Sequence, residues 1–124
     1  MNIPSGHQAL MPYLLLNGVA DFIQFAQTVF GATESMRRMR DENTIMHAEI
    51  RIGDSTLMVA DSTEEWSVQA ASLFIYVSDA DATYQKALET GAESIMEMST
   101  QDYGRTGGIK DPFGNTWWIT SIQD

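Results

Sequence analysis

The sequence predicts an α+β fold built from two βαβββ modules, and three observations support that reading. The chain repeats itself: shifted by 60 positions, Ala20 meets Ala80, Asp21 meets Asp81, Gly31 meets Gly91, Ala32 meets Ala92 and Met36 meets Met96. These identities fall at a helix entry, at its exit and in the following strand, which are the positions a repeated architecture constrains. Each copy also holds apolar residues at helical spacing between segments of strand character. Each helical run then closes on Gly-Ala. Helices that cover one side of a sheet leave its other face in need of a cover. The expectation is a curved, partly open mixed sheet around a central cavity between the modules.

The first strand is expected from Ala9 to Leu16, with Asn17-Gly18 turning the chain into a helix. Val19, Phe22, Ile23, Ala26, Val29 and Phe30 give that helix one apolar face. Gly31 ends it as a left-handed C′ residue. Strands follow at Glu34 to Arg40, Ile45 to Ile52 and Thr56 to Asp61, with a tight turn at Gly53-Asp54, and make an antiparallel meander. Residues 62–71 are polar, set Glu64 and Glu65 beside Trp66, and read as a connector in which Trp66 is either a lid or a packed anchor. The second module opens with Leu73 to Val77. Ser78 followed by Asp81 is a variant capping box for a helix ending near Thr90, with Ala80, Tyr84, Ala87 and Leu88 as its buried stripe. Strands near Ser94 to Met98, Gly107 to Asp111 and Thr116 to Ile122 complete the copy. The reading is one domain over 1–124, with module one at 9–61, the connector at 62–71 and module two at 72–122.

Composition narrows the function. Seventeen acidic residues against seven basic ones give a net charge of -10, which repels phosphate backbones and argues against a nucleic-acid partner. The same charge serves either solubility or a pocket field that attracts cationic ligands. With no cysteine, the chain has no disulfide framework, thiol nucleophile or thiolate metal site, and it suits a reducing cytoplasm. No apolar run approaches the roughly 20 residues needed to span a bilayer, so no membrane partner is expected. Met1 to Gln8 lacks a signal-peptide pattern. Neither a Gly-x-Gly-x-x-Gly nucleotide fingerprint nor a nucleophile elbow is present.

The segment Lys110-Asp111-Pro112-Phe113-Gly114-Asn115-Thr116-Trp117-Trp118-Ile119 reads first as a β-turn preset by Pro112 and followed by a β-rich strand. It also resembles the DPxGN signature before the last strand of the vicinal oxygen chelate superfamily, which includes glyoxalase I, extradiol dioxygenases and bleomycin-resistance proteins. Met46-His47-Ala48-Glu49, Ile52-Gly53-Asp54-Ser55 and Tyr103-Gly104-Arg105 are similar to the PhnB-like branch. The resemblance covers nearly the whole chain and implies the glyoxalase/bleomycin resistance/dioxygenase fold and a homodimer. It also implies a test for a metal, because enzymes of the superfamily hold a divalent cation with His and Glu from the first, fourth, fifth and eighth strands. Those positions carry Met11, Met58, Ser72 and Trp118 here, and a register shift of two substitutes Tyr13, Ala60, Phe74 or Thr120. Thioether, indole and hydroxyl groups do not replace imidazoles and carboxylates around a hard or borderline cation. No cofactor is therefore expected, and a divalent metal only if its site has moved to His47, Glu49 and His7. Without such partners His7 reads as a surface residue.

With Met11, Met58 and Trp118 in place of ligands, the cavity becomes apolar and aromatic, which either binds a flat or hydrophobic molecule or is filled by these side chains. His47 alternates with Glu49 in mid-strand and is placed to reach Asp61 or a ligand, as a general base or as a residue hydrogen-bonded between sheet and helix. Glu49 beside Arg51 reads as a cross-strand ion pair. Tyr103 and Arg105 sit in a glycine-rich stretch, Tyr103 to Gly108, expected to form a flexible pocket rim, with Arg105 either on a ligand or stapling the loop to the acidic surface. The expected ligand contacts are Tyr13, His47, Met58, Tyr103, Arg105 and Trp118, with Trp66 and Phe113 as further stacking candidates. The function this supports is metal-free binding of a small aromatic or cationic molecule. The alternatives are a lyase or dioxygenase with a relocated metal, or a metal-independent isomerase using His47.

Overall fold

The computed structural model describes residues 1–122. It contains ten elements: β1 (Tyr13–Leu16), α1 (Val19–Phe30), β2 (Thr33–Met39), β3 (Ile45–Ile52), β4 (Ser55–Asp61), β5 (Ser72–Tyr76), α2 (Ala80–Glu89), β6 (Glu93–Gln101), β7 (Gly104–Lys110) and β8 (Thr116–Ser121). The α+β architecture of two βαβββ modules is present as two four-stranded mixed sheets, ordered β1-β4-β3-β2 and β5-β8-β7-β6. In each, the meander is antiparallel and the leading strand pairs parallel with the last. Neither sheet closes. The chain divides into two compact units, Met1–Gln27 with Gly31–Ala70, and Thr28–Phe30 with Ala71–Asp124.

In the first unit, alternation sorts the sheet residues. Leu14, Leu16, Ala48, Ile50, Leu57 and Val59 are buried, as are Val19, Phe22, Ile23, Phe25 and Ala26 of α1. Each such large side chain contributes about 1.5–3 kcal/mol through burial. The start of α1 is fixed by Asp61, whose Oδ1 accepts from the backbone N–H of Gly18 at 3.1 Å and of Val19 at 3.0 Å. Its Oδ2 accepts from Ile45 N at 2.6 Å, tying the helix entry to β3. Gly31 ends α1 with φ of 69°, and its N–H bonds the Gln27 carbonyl, as expected of a left-handed terminator. β1 is shorter than the expected Ala9 to Leu16. Pro12 has no N–H to extend the ladder, and only its carbonyl takes part, accepting from Met58 N.

In the second unit, Trp117, Ile119 and Ile109 form the core with Ala80 and Ala87 of α2, which packs against β7 and β8. Phe30, grouped with this unit, places its ring 4.3 Å from that of Trp117. The cap of α2 is Asp79 rather than a box begun by Ser78, because the Asp79 carboxylate accepts from Ala82 N at 3.1 Å. Two expected strands are longer than the sequence suggests: β6 runs to Gln101, and β7 starts at Gly104. The stretch expected as a flexible rim, Tyr103 to Gly108, is thus largely paired strand. Gly104 requires its lack of a side chain, since at φ of 140° a Cβ would meet the Ser121 carbonyl oxygen at 2.5 Å.

Candidate functional site

Three neighbouring strands deliver the candidate site. Tyr13 in β1 stands opposite Met58 in β4, which stands opposite Glu49 in β3. Residues paired in this way share a face, and it is the face opposite the buried Leu14, Ala48 and Val59. On it the Tyr13 hydroxyl lies 3.0 Å from His47 Nδ1. His47 Nε2 lies 2.9 Å from Glu49 Oε2, and Glu49 Oε1 lies 2.8 Å from His7 Nε2. The four side chains form one chain of hydrogen bonds.

The direction of each bond follows from Glu49. Hydrogen bonds from His47, then from His7, hold its carboxyl below the ordinary glutamate value. An ionised carboxylate only accepts, so both imidazoles carry a proton on Nε2 and donate it. In the neutral imidazole this leaves His47 Nδ1 as a lone-pair acceptor to which the Tyr13 hydroxyl donates. A hydroxyl backed by an imidazole that is in turn held by a carboxylate is the arrangement that activates a nucleophile or moves a proton.

Tyr13 also lines a cavity of about 790 Å³, a volume suited to a drug-sized organic molecule. Leu15, Met46, Ala60, Asp61 and Arg40 complete the strand side of the cavity, and the connector supplies Thr63, Glu64, Glu65, Trp66 and Gln69. Backbone bonds hold the connector in place. Gln69 N donates to Leu15 O at 2.8 Å, and Leu15 N donates back to Gln69 O at 3.2 Å. Trp66 is fixed by its backbone N–H, which donates to Thr63 Oγ1 at 2.8 Å. Its side chain stays 62% exposed, so Trp66 is a wall of the cavity and not a packed anchor. The charge here is mixed. Asp61 is committed to three backbone donors, and Arg40 donates to its carbonyl at 3.1 Å. Glu64 and Glu65 carry the remaining negative charge.

The sequence-predicted residues separate into two groups. Tyr13, His47 and Met58 come together in the first unit. Tyr103, Arg105 and Trp118 lie in the second. There Arg105 makes a two-pronged pair with Asp81, 3.0 Å at each prong. That pair holds the Asp81 carboxyl below its ordinary value and raises the guanidinium above its own, so Arg105 is a staple. Trp118 donates its indole N–H to Ser72 Oγ at 3.2 Å, and Tyr103 is exposed just before β7. Three expectations are corrected. His47 does not reach Asp61, whose carboxylate is occupied by the backbone; it bonds Glu49 and Tyr13. Glu49 does not pair with Arg51, which donates instead to the Gly6 carbonyl at 3.2 Å. His7 is not a lone surface residue, since it bonds Glu49. Its partner is 42 positions away, a separation that no local pattern announces. Arg40 and Gln69 were likewise without a sequence signal, whereas the alternation of His47 with Glu49 was visible.

The chelating positions do not fit a divalent metal. Met58 offers a thioether, and the Ser72 hydroxyl is engaged by the Trp118 indole. At His7, Glu49 and His47 each carboxylate oxygen takes an imidazole N–H, so a metal there would have to displace both protons. Among the described residues, no group of three or more His, Asp or Glu is arranged to hold a metal ion.

Two mixed sheets of βαβββ type, each with one helix, define the class of paired-module α+β proteins. The profile of the Glyoxalase/Bleomycin resistance protein/Dioxygenase superfamily matches residues 10–119, and the chain belongs to that superfamily. A relative from Mycobacterium tuberculosis is 32% identical over 121 residues, covering 88% of this chain and 71% of the relative. The fold is similar to that of a PhnB protein from Bacillus cereus, at 17% identity and a TM-score of 0.72, covering 93% of this chain and 100% of that one. It is similar as well to TnmS3, an antibiotic binding protein from Streptomyces sp. CB03234, at 15% identity and a TM-score of 0.72, covering 94% and 100%. Among the described residues, no helix is long and apolar enough to cross a membrane.

Proposed function

We propose that this protein binds a small aromatic or cationic organic molecule in the cavity of its first unit, without a metal, as a cytoplasmic homodimer. The observation that carries this reading is the cavity of about 790 Å³ with Tyr13 and Trp66 in its walls. Aromatic walls supply large contact area and stack on flat ligands, and Glu64 and Glu65 favour a positive charge on the occupant. The antibiotic-binding role in the name of TnmS3 is consistent with binding on this fold. Exposed Phe74, Tyr76 and Ile95 on the second sheet support a self-association surface, and the absence of cysteine supports a reducing compartment.

Tryptophan fluorescence tests the binding. Trp117 is buried at 2% exposure whereas Trp66 is open to the cavity, so an occupant is expected to quench Trp66. A panel of planar aromatic amines should include at least one compound that quenches saturably in the wild type and not in Trp66→Phe. If no compound in the panel quenches, or if quenching survives the substitution, the cavity is not the binding site. Sedimentation velocity at micromolar concentration tests the dimer separately.

A further inference from the structure

We propose that Tyr13, His47 and Glu49 form a triad that makes the Tyr13 phenol a nucleophile toward cavity ligands bearing an electrophilic acyl-type centre and a leaving group. The inference goes beyond non-covalent binding and does not depend on which molecule the cavity otherwise holds. Its basis is the chain of hydrogen bonds at 3.0 and 2.9 Å, which begins at a residue lining the cavity and ends at the Glu49 carboxylate. A phenol is a weak nucleophile while protonated, and a positioned imidazole removes that obstacle when it takes the proton as the new bond forms. His47 is suited to this because, in the neutral imidazole, an Nε2–H held by Glu49 leaves Nδ1 to accept. Glu49 also stabilises the imidazolium that results. His7, on the other carboxylate oxygen at 2.8 Å, is a positioning residue that keeps Glu49 aligned.

In the step itself, the Tyr13 oxygen bonds to the electrophilic centre while its proton passes to His47 Nδ1. The leaving group departs with the electron pair of its broken bond, and His47 passes the proton to it or, when it is as weak a base as fluoride, to solvent. The products are an esterified Tyr13, the leaving group and one proton, with nothing oxidised or reduced. Arg40, in the same cavity, is the cation available to the charge that develops on the centre's oxygen.

The protein carries its own controls. Tyr13 is 49% exposed, Tyr103 52% and Tyr76 63%, so accessibility alone gives Tyr13 no advantage. The probe is benzenesulfonyl fluoride, which transfers its sulfonyl group to a phenolate oxygen and releases fluoride. Labelling of the three tyrosines is followed by peptide mass spectrometry against time. Tyr13 is expected to react about 100-fold faster than Tyr76 and Tyr103, the lower range of general-base assistance. His47→Gln should bring Tyr13 to the rate of the other two, and Tyr13→Phe should remove the fast phase. His7→Gln should slow the Tyr13 reaction and leave the rates at Tyr76 and Tyr103 unchanged, which a general loosening of the fold does not do. Equal rates at the three tyrosines in the wild type overturn the proposal, and that comparison holds even if the variants fail to fold. A Tyr13 advantage that survives His47→Gln overturns it as well. Loss of Trp66 quenching with retained Tyr13 labelling would defeat only the non-covalent reading, and the reverse would defeat only this one.

Discussion

Asp111 Oδ2 accepts the indole N–H of Trp117 at 2.8 Å, which joins the turn before β8 to the largest fully buried side chain among the described residues. The same oxygen accepts from Asn115 Nδ2 at 2.9 Å, and Oδ1 takes the backbone N–H groups of Phe113 and Asn115 at 2.8 and 2.9 Å. A carboxylate at 4% exposure therefore satisfies four donors. Replacing it removes the acceptor from the three buried donors of Asn115 and Trp117, each at a cost of about 1–3 kcal/mol before relaxation. Asp111→Ala is expected to lower stability by about 3 kcal/mol in urea unfolding. Asp111→Asn, which keeps one acceptor oxygen, should lose about half of that.

This turn also shows what the sequence discloses and what it hides. Asp111, Pro112, Gly114 and Asn115 are a local signal, because a carboxylate and the donors it caps lie within a few positions of one another. The repeat of Gly31 and Gly91 was legible for the same reason, since a helix terminator acts on its own helix. Asp61 was not legible as a cap. It closes the start of α1 from 42 and 43 positions away, and its partners are backbone atoms, which carry no residue identity. The link between His7 and Glu49 is hidden in the same way. Tyr13 and His47 were each singled out from local pattern, but the bond between them depends on strand order, with β4 lying between β1 and β3. The cavity was expected between the modules. The lining found belongs to the first unit, because the connector returns to pair with Leu15, and no composition rule gives the direction in which a polar connector folds back.

Gly104→Ala is expected to destabilise more than a change at another positive-φ glycine. At Gly104 a Cβ meets backbone, the Ser121 carbonyl oxygen at 2.5 Å, and neither strand yields without breaking the pairing of β7 with β8. Gly31, at φ of 69°, has open space where its Cβ would lie, so Gly31→Ala bears backbone strain alone, about 1 kcal/mol. The cost at Gly104 should exceed about 2 kcal/mol, since steric overlap adds to strain. Urea midpoints of the two variants check the order, and equal midpoints would contradict the close approach.

Metal retention is expected to be negligible. After incubation with nickel, zinc, manganese or ferrous iron and removal of free ion, mass spectrometry should find far less than one equivalent. The reason lies in the donor chemistry, a thioether at Met58, a hydroxyl at Ser72 and an indole at Trp118, with the carboxylate between His7 and His47 already occupied. Retention of one equivalent that is lost in Glu49→Gln would place a metal at the histidine pair and overturn this expectation.

Glu49 should make the protein lose stability on acidification. Hydrogen bonds from His47 and His7 lower its carboxyl in the folded state relative to the ordinary value of 4.5. The unfolded chain therefore binds the Glu49 proton at higher pH than the folded chain does. A depressed carboxyl contributes its full stabilisation above the unfolded value and loses it as pH falls through the folded one. The loss should begin near 4.5 and continue below it, in the range where the two imidazoles lose their acceptor. Glu49→Gln has no such proton to gain, so its stability should change less over the interval from about pH 5 to about pH 3. Urea unfolding of both proteins across that interval measures the difference in slope. Identical slopes would mean that the Glu49 carboxyl is not held below its ordinary value, and the tautomer assigned to His47 would lose its support.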